Sequence, residues 1–254
     1  MAQIRLHFYQ SLNDFIAPTL SSTEIIHDFD RKASVKDMIE SFNVPHTEVE
    51  LILVNGTAVD FNYIVQHNDC IQVYPAFENL GVATSLRLRS EPSRPPVFVV
   101  DANLGKLARY LRLLGFDCLY RNDYNDDAVA KIASERQRIV LTRDRSLLQR
   151  KIITYGYFVR TDIPKIQTQE VLKRFDLYPL IKPLTRCTHC NGKLQEIDKQ
   201  KIAHRLEPLT KQHYDRFLIC SECEQIYWQG SHCARVKQLV DEFSAAKYKA
   251  PRSY

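Results

Sequence analysis

The chain has 254 residues, 44% of them hydrophobic and 26% charged, room for about two ordinary domains and unlike the composition of a disordered or fibrous protein. Its formal net charge of +5 permits a polyanionic partner without requiring one. No stretch approaches the ~20 consecutive apolar residues of a membrane span, and the early Gln3, Arg5 and His7 leave no signal-peptide core, so a cytoplasmic protein with no membrane partner is expected.

Residues 1–80 alternate between strand and helix patterns. Residues 4–8 and 24–29 read as strands, 34–42 as a helix capped by Ser34, and 51–54 as a strand that turns at Asn55-Gly56 into a return strand through 59–61. The last strand is 70–75. This ββαββ order with a final strand resembles the ubiquitin-like β-grasp fold, an α+β domain, and in particular the small sulfur-carrier proteins. Those carriers act through a free C-terminal diglycine, whereas Phe77 and Gly81 lead into more chain. The expectation is therefore a docking module for a protein partner, or one that positions RNA.

Gly81, Ser90, Pro92, Pro95 and Pro96 break all periodicity, and residues 81–96 read as an extended linker. A second domain, 97–182, opens with the apolar strand 97–100, which delivers Asp101 to an amphipathic helix. Leu104, Leu107, Leu111 and Leu114 form the apolar stripe of that helix, Gly115 stops it, and Lys106, Arg109 and Arg112 fall on an adjoining arc. Residues 116–120 and 139–142 read as strands, with a helix 126–136 between them capped by Asn125. A short helix at 146–151, a strand at 157–160 and a helix at 168–175 follow. Strand and helix alternate throughout, which predicts an α/β domain with a parallel sheet.

Residues 183–254 carry two C-x-x-C knuckles, Cys187 with Cys190 and Cys220 with Cys223, separated by residues 191–219. Four thiolates suit one tetrahedral zinc ion, in a structural role because no position is left for water. A redox pair is the alternative at either knuckle, but no thioredoxin-like pattern adjoins. Beyond the second knuckle Tyr227 and Trp228 offer stacking surfaces for an unpaired base, and His232 a donor to phosphate or a proton carrier. The bland alternatives are that Trp228 packs the ribbon and His232 satisfies a backbone carbonyl. Residues 235–243 read as a final helix.

Asp101, Asp126 and Asp144 each follow a strand or open a helix, which in an open α/β sheet is where ligands gather. Taken singly, each reads as a helix cap or a surface residue; their recurrence points to a cup for Mg or Mn ions, with Asp162 as a weaker fourth member and Asp127 as a substitute for Asp126. Lys106, Arg109, Arg112, Arg143, Arg145 and Lys151 would hold a nucleic-acid backbone beside it.

The run Val99-Val100-Asp101-Ala102-Asn103-Leu104-Gly105-Lys106-Leu107-Ala108-Arg109, continuing to Leu114-Gly115-Phe116-Asp117, together with Leu141-Thr142-Arg143-Asp144-Arg145, closely resembles the Mut-seven C-terminal ribonuclease family. The tail around Tyr227, Trp228 and His232 resembles it too. The resemblance implies a PIN-like nuclease core, a zinc ribbon (183–254) and a β-grasp domain in front. It also implies cleavage of RNA, with Asp101, Asp126 and Asp144 on the acidic positions and Arg109, Arg112 and Arg143 on the basic ones. A metal-dependent ribonuclease is thus expected; an inactive RNA-binding adaptor and a partner-recruiting scaffold are the alternatives.

Overall fold

Sequence patterns become elements where a cap or an unusual backbone angle fixes their ends. The computed structural model describes residues 1–21, 23–75, 88–89, 95–228 and 238–243. In chain order it runs β1 (Ala2–Phe8), β2 (Ile25–Phe29), α1 (Val35–Ser41), β3 (Val49–Val54), β4 (Thr57–Ala58), β5 (Cys70–Pro75), β6 (Phe98–Val100), α2 (Gly105–Leu113) and β7 (Cys118–Leu119). It continues through α3 (Asp126–Glu135), β8 (Ile139–Thr142), α4 (Arg145–Leu148), β9 (Gly156–Phe158) and α5 (Pro164–Arg174). The tail holds β10 (Leu194–Ile197), α6 (Lys199–Ile202), α7 (Pro208–His213), β11 (Phe217–Cys220) and β12 (Ile226–Trp228). Residues 238–243 are helical. Residues 235–237 of the expected final helix, and most of the expected linker, lie outside the described residues.

Ser34 caps α1 in a reciprocal box: Asp37 N donates to Ser34 Oγ at 3.1 Å and Ser34 N to Asp37 Oδ2 at 3.3 Å. Asn55 and Gly56, at φ 51° and 81°, make the expected tight turn. The return strand, however, is only β4; Val59 N still donates to Ile52 O at 3.1 Å, but residues 59–61 are not strand. Gly115, at φ 97°, ends α2, and a Cβ there would meet the Lys182 carbonyl oxygen at 2.2 Å. Two helices start earlier than the pattern predicts. α4 begins at Arg145 because Asp144 takes the cap, accepting from Ser146 N at 2.8 Å. α5 begins at Pro164 because proline brings a preset φ and no N–H to the first helical position.

The chain divides into two compact units, Met1–Ser93 with Asn125–Phe158, and Arg94–Tyr124 with Val159–Tyr254. In the first, a five-stranded sheet of order β2-β1-β5-β3-β4 pairs β1 and β5 in parallel and its other neighbours antiparallel. Ile4, Leu6 and Phe8 alternate inward on β1 and meet Ile71 and Val73 of β5 beneath Val35 and Ile39 of α1, all 1% exposed or less. The same unit holds the parallel pair β8 and β9, with Val140 opposite Gly156 and Thr142 opposite Phe158. In the second unit β6 and β7 pair in parallel. The residues of β6 and β8 are 2% exposed or less, which explains their unbroken apolar runs: a parallel strand is covered on both faces. The tail forms an antiparallel sheet β10-β11-β12 over Ile202, Phe217 and Ile226. The short helices α6 and α7, between its knuckles, were not foreseen. The expected class, α/β with a parallel sheet, a mixed β-grasp-like sheet in front and a ribbon behind, is what the chain adopts.

Candidate functional site

Each C-x-x-C knuckle is closed by a residue in the left-handed region, Asn191 at φ 74° and Glu224 at φ 56°. The turns aim their sulfurs at one another: Cys187 Sγ lies 3.6 Å from Cys223 Sγ, Cys190 Sγ lies 3.3 Å from Cys220 Sγ, and all four fall within 4.8 Å. A tetrahedral ion with ~2.3 Å bonds sets its sulfurs about 3.8 Å apart, so the donor set fits zinc. Gly192 N donates to Cys190 Sγ and Glu222 N to Cys220 Sγ, each at 3.4 Å, orienting the thiolates. A Cβ at Gly192 would lie 2.7 Å from Cys220 Sγ, so the knuckle needs glycine there. Burial pushes the Cys187 thiol up, but the Tyr227 hydroxyl and the amides of Cys190 and His189 outweigh it and bring it down to about 7. At Cys190 burial prevails and the thiol rises to about 12.

The ribbon is bolted to the start of its unit. Arg112, expected to face RNA, is 3% exposed, and its guanidinium donates to the carbonyls of Cys118, Tyr120 and His189 at 2.8, 3.2 and 2.6 Å, with Thr188 O at 3.4 Å. The helical arc that suggested a basic face instead turns this side chain under the first knuckle. Asn191 bridges the same parts: its Nδ2 donates to Asp117 and its Oδ1 accepts from Cys118 N. Arg186 pairs with Asp117 at 3.0 Å.

The acidic residues divide between the units. In the first, Asp144 caps α4, and its Oδ1 accepts from Ser146 N and Oγ, both at 2.8 Å. Asp126 and Asp127 open α3 behind the Asn125 cap. Arg150, which the sequence reading passed over, pairs with Asp127 and reaches Asp126 at 3.9 Å. Its bond to Asp127, with the charges of Asp126 and Asp144, holds its guanidinium above the ordinary value. One cation thus serves two neighbouring carboxylates, and no spacing rule links position 150 to 126. Arg143 and Lys151 are exposed here. Arg145 is not: half-buried, its guanidinium lies 5.2 Å from the Phe15 ring centroid and 5.4 Å from that of Phe158.

In the second unit Asp101 is 7% exposed and caps the 3-10 turn Ala102–Leu104, its Oδ1 accepting from Asn103 N at 3.5 Å. An open cleft of about 670 Å³ follows directly, lined by Asn103, Lys106, Arg109, Tyr120 and Asp162 among others. Lys106, Arg109 and Asp162 are exposed. The structure therefore brings these three together beside the turn that Asp101 caps. Tyr120, missed from sequence, donates to Ala102 O at 3.2 Å. It stands just past β7, so the strand-end rule that singled out the aspartates reaches it as well. Gly105 makes room for its ring, since a Cβ there would lie 2.5 Å from its hydroxyl.

On the ribbon, the Tyr227 hydroxyl sits 3.1 Å from Cys187 Sγ and accepts from Thr188 N at 3.1 Å, so that end of the side chain serves the knuckle. Trp228, 38% exposed, shares a cleft of about 500 Å³ with Tyr227 and Arg216. His232 lies outside the described residues.

Comparison with known proteins bears on both the front and the body of the chain. Residues 96–240 match the family described as the Mut7-C RNAse domain, and residues 1–81 match Mut7-C ubiquitin. No curated protein and no solved structure matches. The first match spans more than half of the chain and includes both the acidic run and the cysteine knuckles, and the second covers the β-grasp-like sheet: the chain belongs to the Mut7-C RNAse domain family, with a Mut7-C ubiquitin domain at its front.

Proposed function

We propose that the protein is a ribonuclease with a PIN-like core that hydrolyses RNA phosphodiester bonds with the help of Mg or Mn. The single observation that carries this reading is the match to the RNAse domain over residues 96–240, which include every acidic position the sequence singled out. The cleft that gathers Lys106, Arg109 and Asp162 supports it. Asp101, Asp126 and Asp144, with Asp162 as a fourth candidate, offer the hard oxygen donors such an ion takes, and the ion when bound would activate water and neutralise charge on the phosphate. Lys106, Arg109, Arg143 and Lys151 hold the RNA backbone, and their exposure suits that task. Arg112 is left out of that set, being committed to carbonyls. Trp228 and the ring of Tyr227 stack on an unpaired base, and His232 serves the phosphate or a proton. Attack of water on phosphorus breaks one P–O bond and leaves a phosphate on one new end and a hydroxyl on the other.

The four thiolates hold a structural zinc ion. Reduced cysteines in this arrangement suit the cytoplasm, and no helix among the described residues is long and apolar enough to cross a membrane. The N-terminal domain offers a protein partner its edge strand β2, where Ile26 is 63% exposed.

One observation favours the inactive RNA-binding reading: Arg150 already pairs with Asp127 and reaches Asp126. The two readings part on incubation of the purified protein with mixed cellular RNA, with and without Mn²⁺, beside Asp144→Ala. New RNA ends that need both the metal and Asp144, with RNA binding retained in the variant, support the nuclease. Intact RNA under every divalent metal tried would leave an RNA-binding protein.

A further inference from the structure

A recruiting module on a tether presents a surface outward and leaves its neighbour alone. The N-terminal domain does the opposite within its own unit. Glu48, 1% exposed, accepts from Phe158 N at 2.6 Å. His46, 6% exposed, sits between Glu40 Oε1 at 2.7 Å and the Ile153 carbonyl at 3.0 Å. Arg89 donates to Thr154 O at 2.5 Å while also holding His46 O at 2.9 Å. Buried polar groups of this kind are tolerated only when paired, and here their partners lie on residues 153–158, so the contact is a specific packed one. Gly156 shows how close the approach is: a Cβ there would touch Thr47 and press on Leu148 at 2.5 Å.

These contacts converge on the segment that carries Asp144. Phe15 and Phe158 meet edge-on with centroids 5.4 Å apart, and both rings flank Arg145, the residue directly after the Asp144 cap. A planar guanidinium packed against two touching rings is fixed in a way that a flexible ammonium is not. We infer that the N-terminal domain is a built-in brace for the catalytic segment, with Arg145 a positioning residue that packs on the Phe15–Phe158 ring pair so as to hold the Asp144 carboxylate in place. This rests on the nuclease reading for its catalytic consequence and on the contacts alone for the brace.

The test uses the full chain and a short single-stranded RNA with Mn²⁺. Four variants are compared: Phe15→Ala, the conservative Phe15→Tyr, Arg145→Lys, which keeps the charge and loses the plane, and Phe15→Ala with Arg145→Lys. A misplaced reacting group lowers turnover rather than binding, so Phe15→Ala and Arg145→Lys should each lower kcat about tenfold at unchanged KM, with the double variant no slower than the slower single. Phe15→Tyr, which keeps the ring, should stay closer to wild type than Phe15→Ala. Amide hydrogen exchange at residues 144–149 should quicken in both single variants, and this is read without any catalysis. Wild-type kcat and exchange in Arg145→Lys overturn the inference, and so does a loss confined to KM, which would make Arg145 an RNA contact. Arg145 is only half-buried, so Arg145→Lys decides even where Phe15→Ala fails to fold. If the intact protein cleaves no RNA, the nuclease reading falls, and exchange alone still tells whether the brace exists.

Discussion

The cysteine site and the acidic residues are both collections of candidate metal ligands, and the chain builds them in opposite ways. The four sulfurs come from two turns, each closed by one left-handed residue, and lie within 4.8 Å of one another. The carboxylates are each engaged elsewhere first: Asp101 with Asn103 N, Asp144 with Ser146 N, and Asp126 and Asp127 with the distant Arg150. A ligand set made by short-range turns assembles with the turns themselves. One made at strand ends depends on everything that positions the strands, and its members hold other partners meanwhile.

The largest test of that contrast is at the ribbon. Cys220→Ser should drop zinc from one equivalent to a small fraction by elemental analysis and unfold residues 186–228, because structural zinc contributes on the order of 10 kcal/mol to so small a module. Full zinc content in the folded variant would break the contrast at its stronger end. A smaller effect is expected at Arg112→Met, which leaves several inward carbonyls without a donor and should cost roughly 2–4 kcal/mol in thermal or denaturant unfolding. RNA affinity at a fixed salt should be the same as wild type so long as the variant is folded; weaker binding with unchanged melting would restore Arg112 to the basic face. Smallest is Arg109→Ala, in the cleft with Lys106 and Asp162. RNA affinity should fall with a salt slope reduced by about one, while stability moves by no more than ~0.5 kcal/mol. Together the two arginines, three residues apart on one helix, sharpen the division between holding the ribbon and holding RNA.

Most of the fold was legible because its signals are local. Ser34 with Asp37, Asn55-Gly56, Asn125 and Gly115 each fix an element end through a cap or a positive φ, and the unbroken runs at 98–100 and 139–142 fit strands covered on both faces. The knuckles were legible for the same reason. What sequence could not supply was direction. Periodicity placed Lys106, Arg109 and Arg112 on one arc, yet two of them reach solvent and the third runs under the ribbon, because the carbonyls it meets lie as far off as residue 189. Arg145 was read as a phosphate contact for its charge; its surroundings come from Phe15, far away along the chain. Arg150 escaped notice since its partners sit in another helix. Helices α6 and α7 were hidden by their brevity.

The fork that Arg112 makes with the first knuckle has a bearing on chimeric proteins. A foreign tail with perfect thiolate spacing would still fit poorly unless its turn offered carbonyl oxygens where Thr188 and His189 do, for the buried guanidinium beneath would keep only the Cys118 and Tyr120 carbonyls and leave Nη1 without an acceptor. Anyone grafting a new ribbon here must therefore redesign helix and tail as a pair, beginning with position 112.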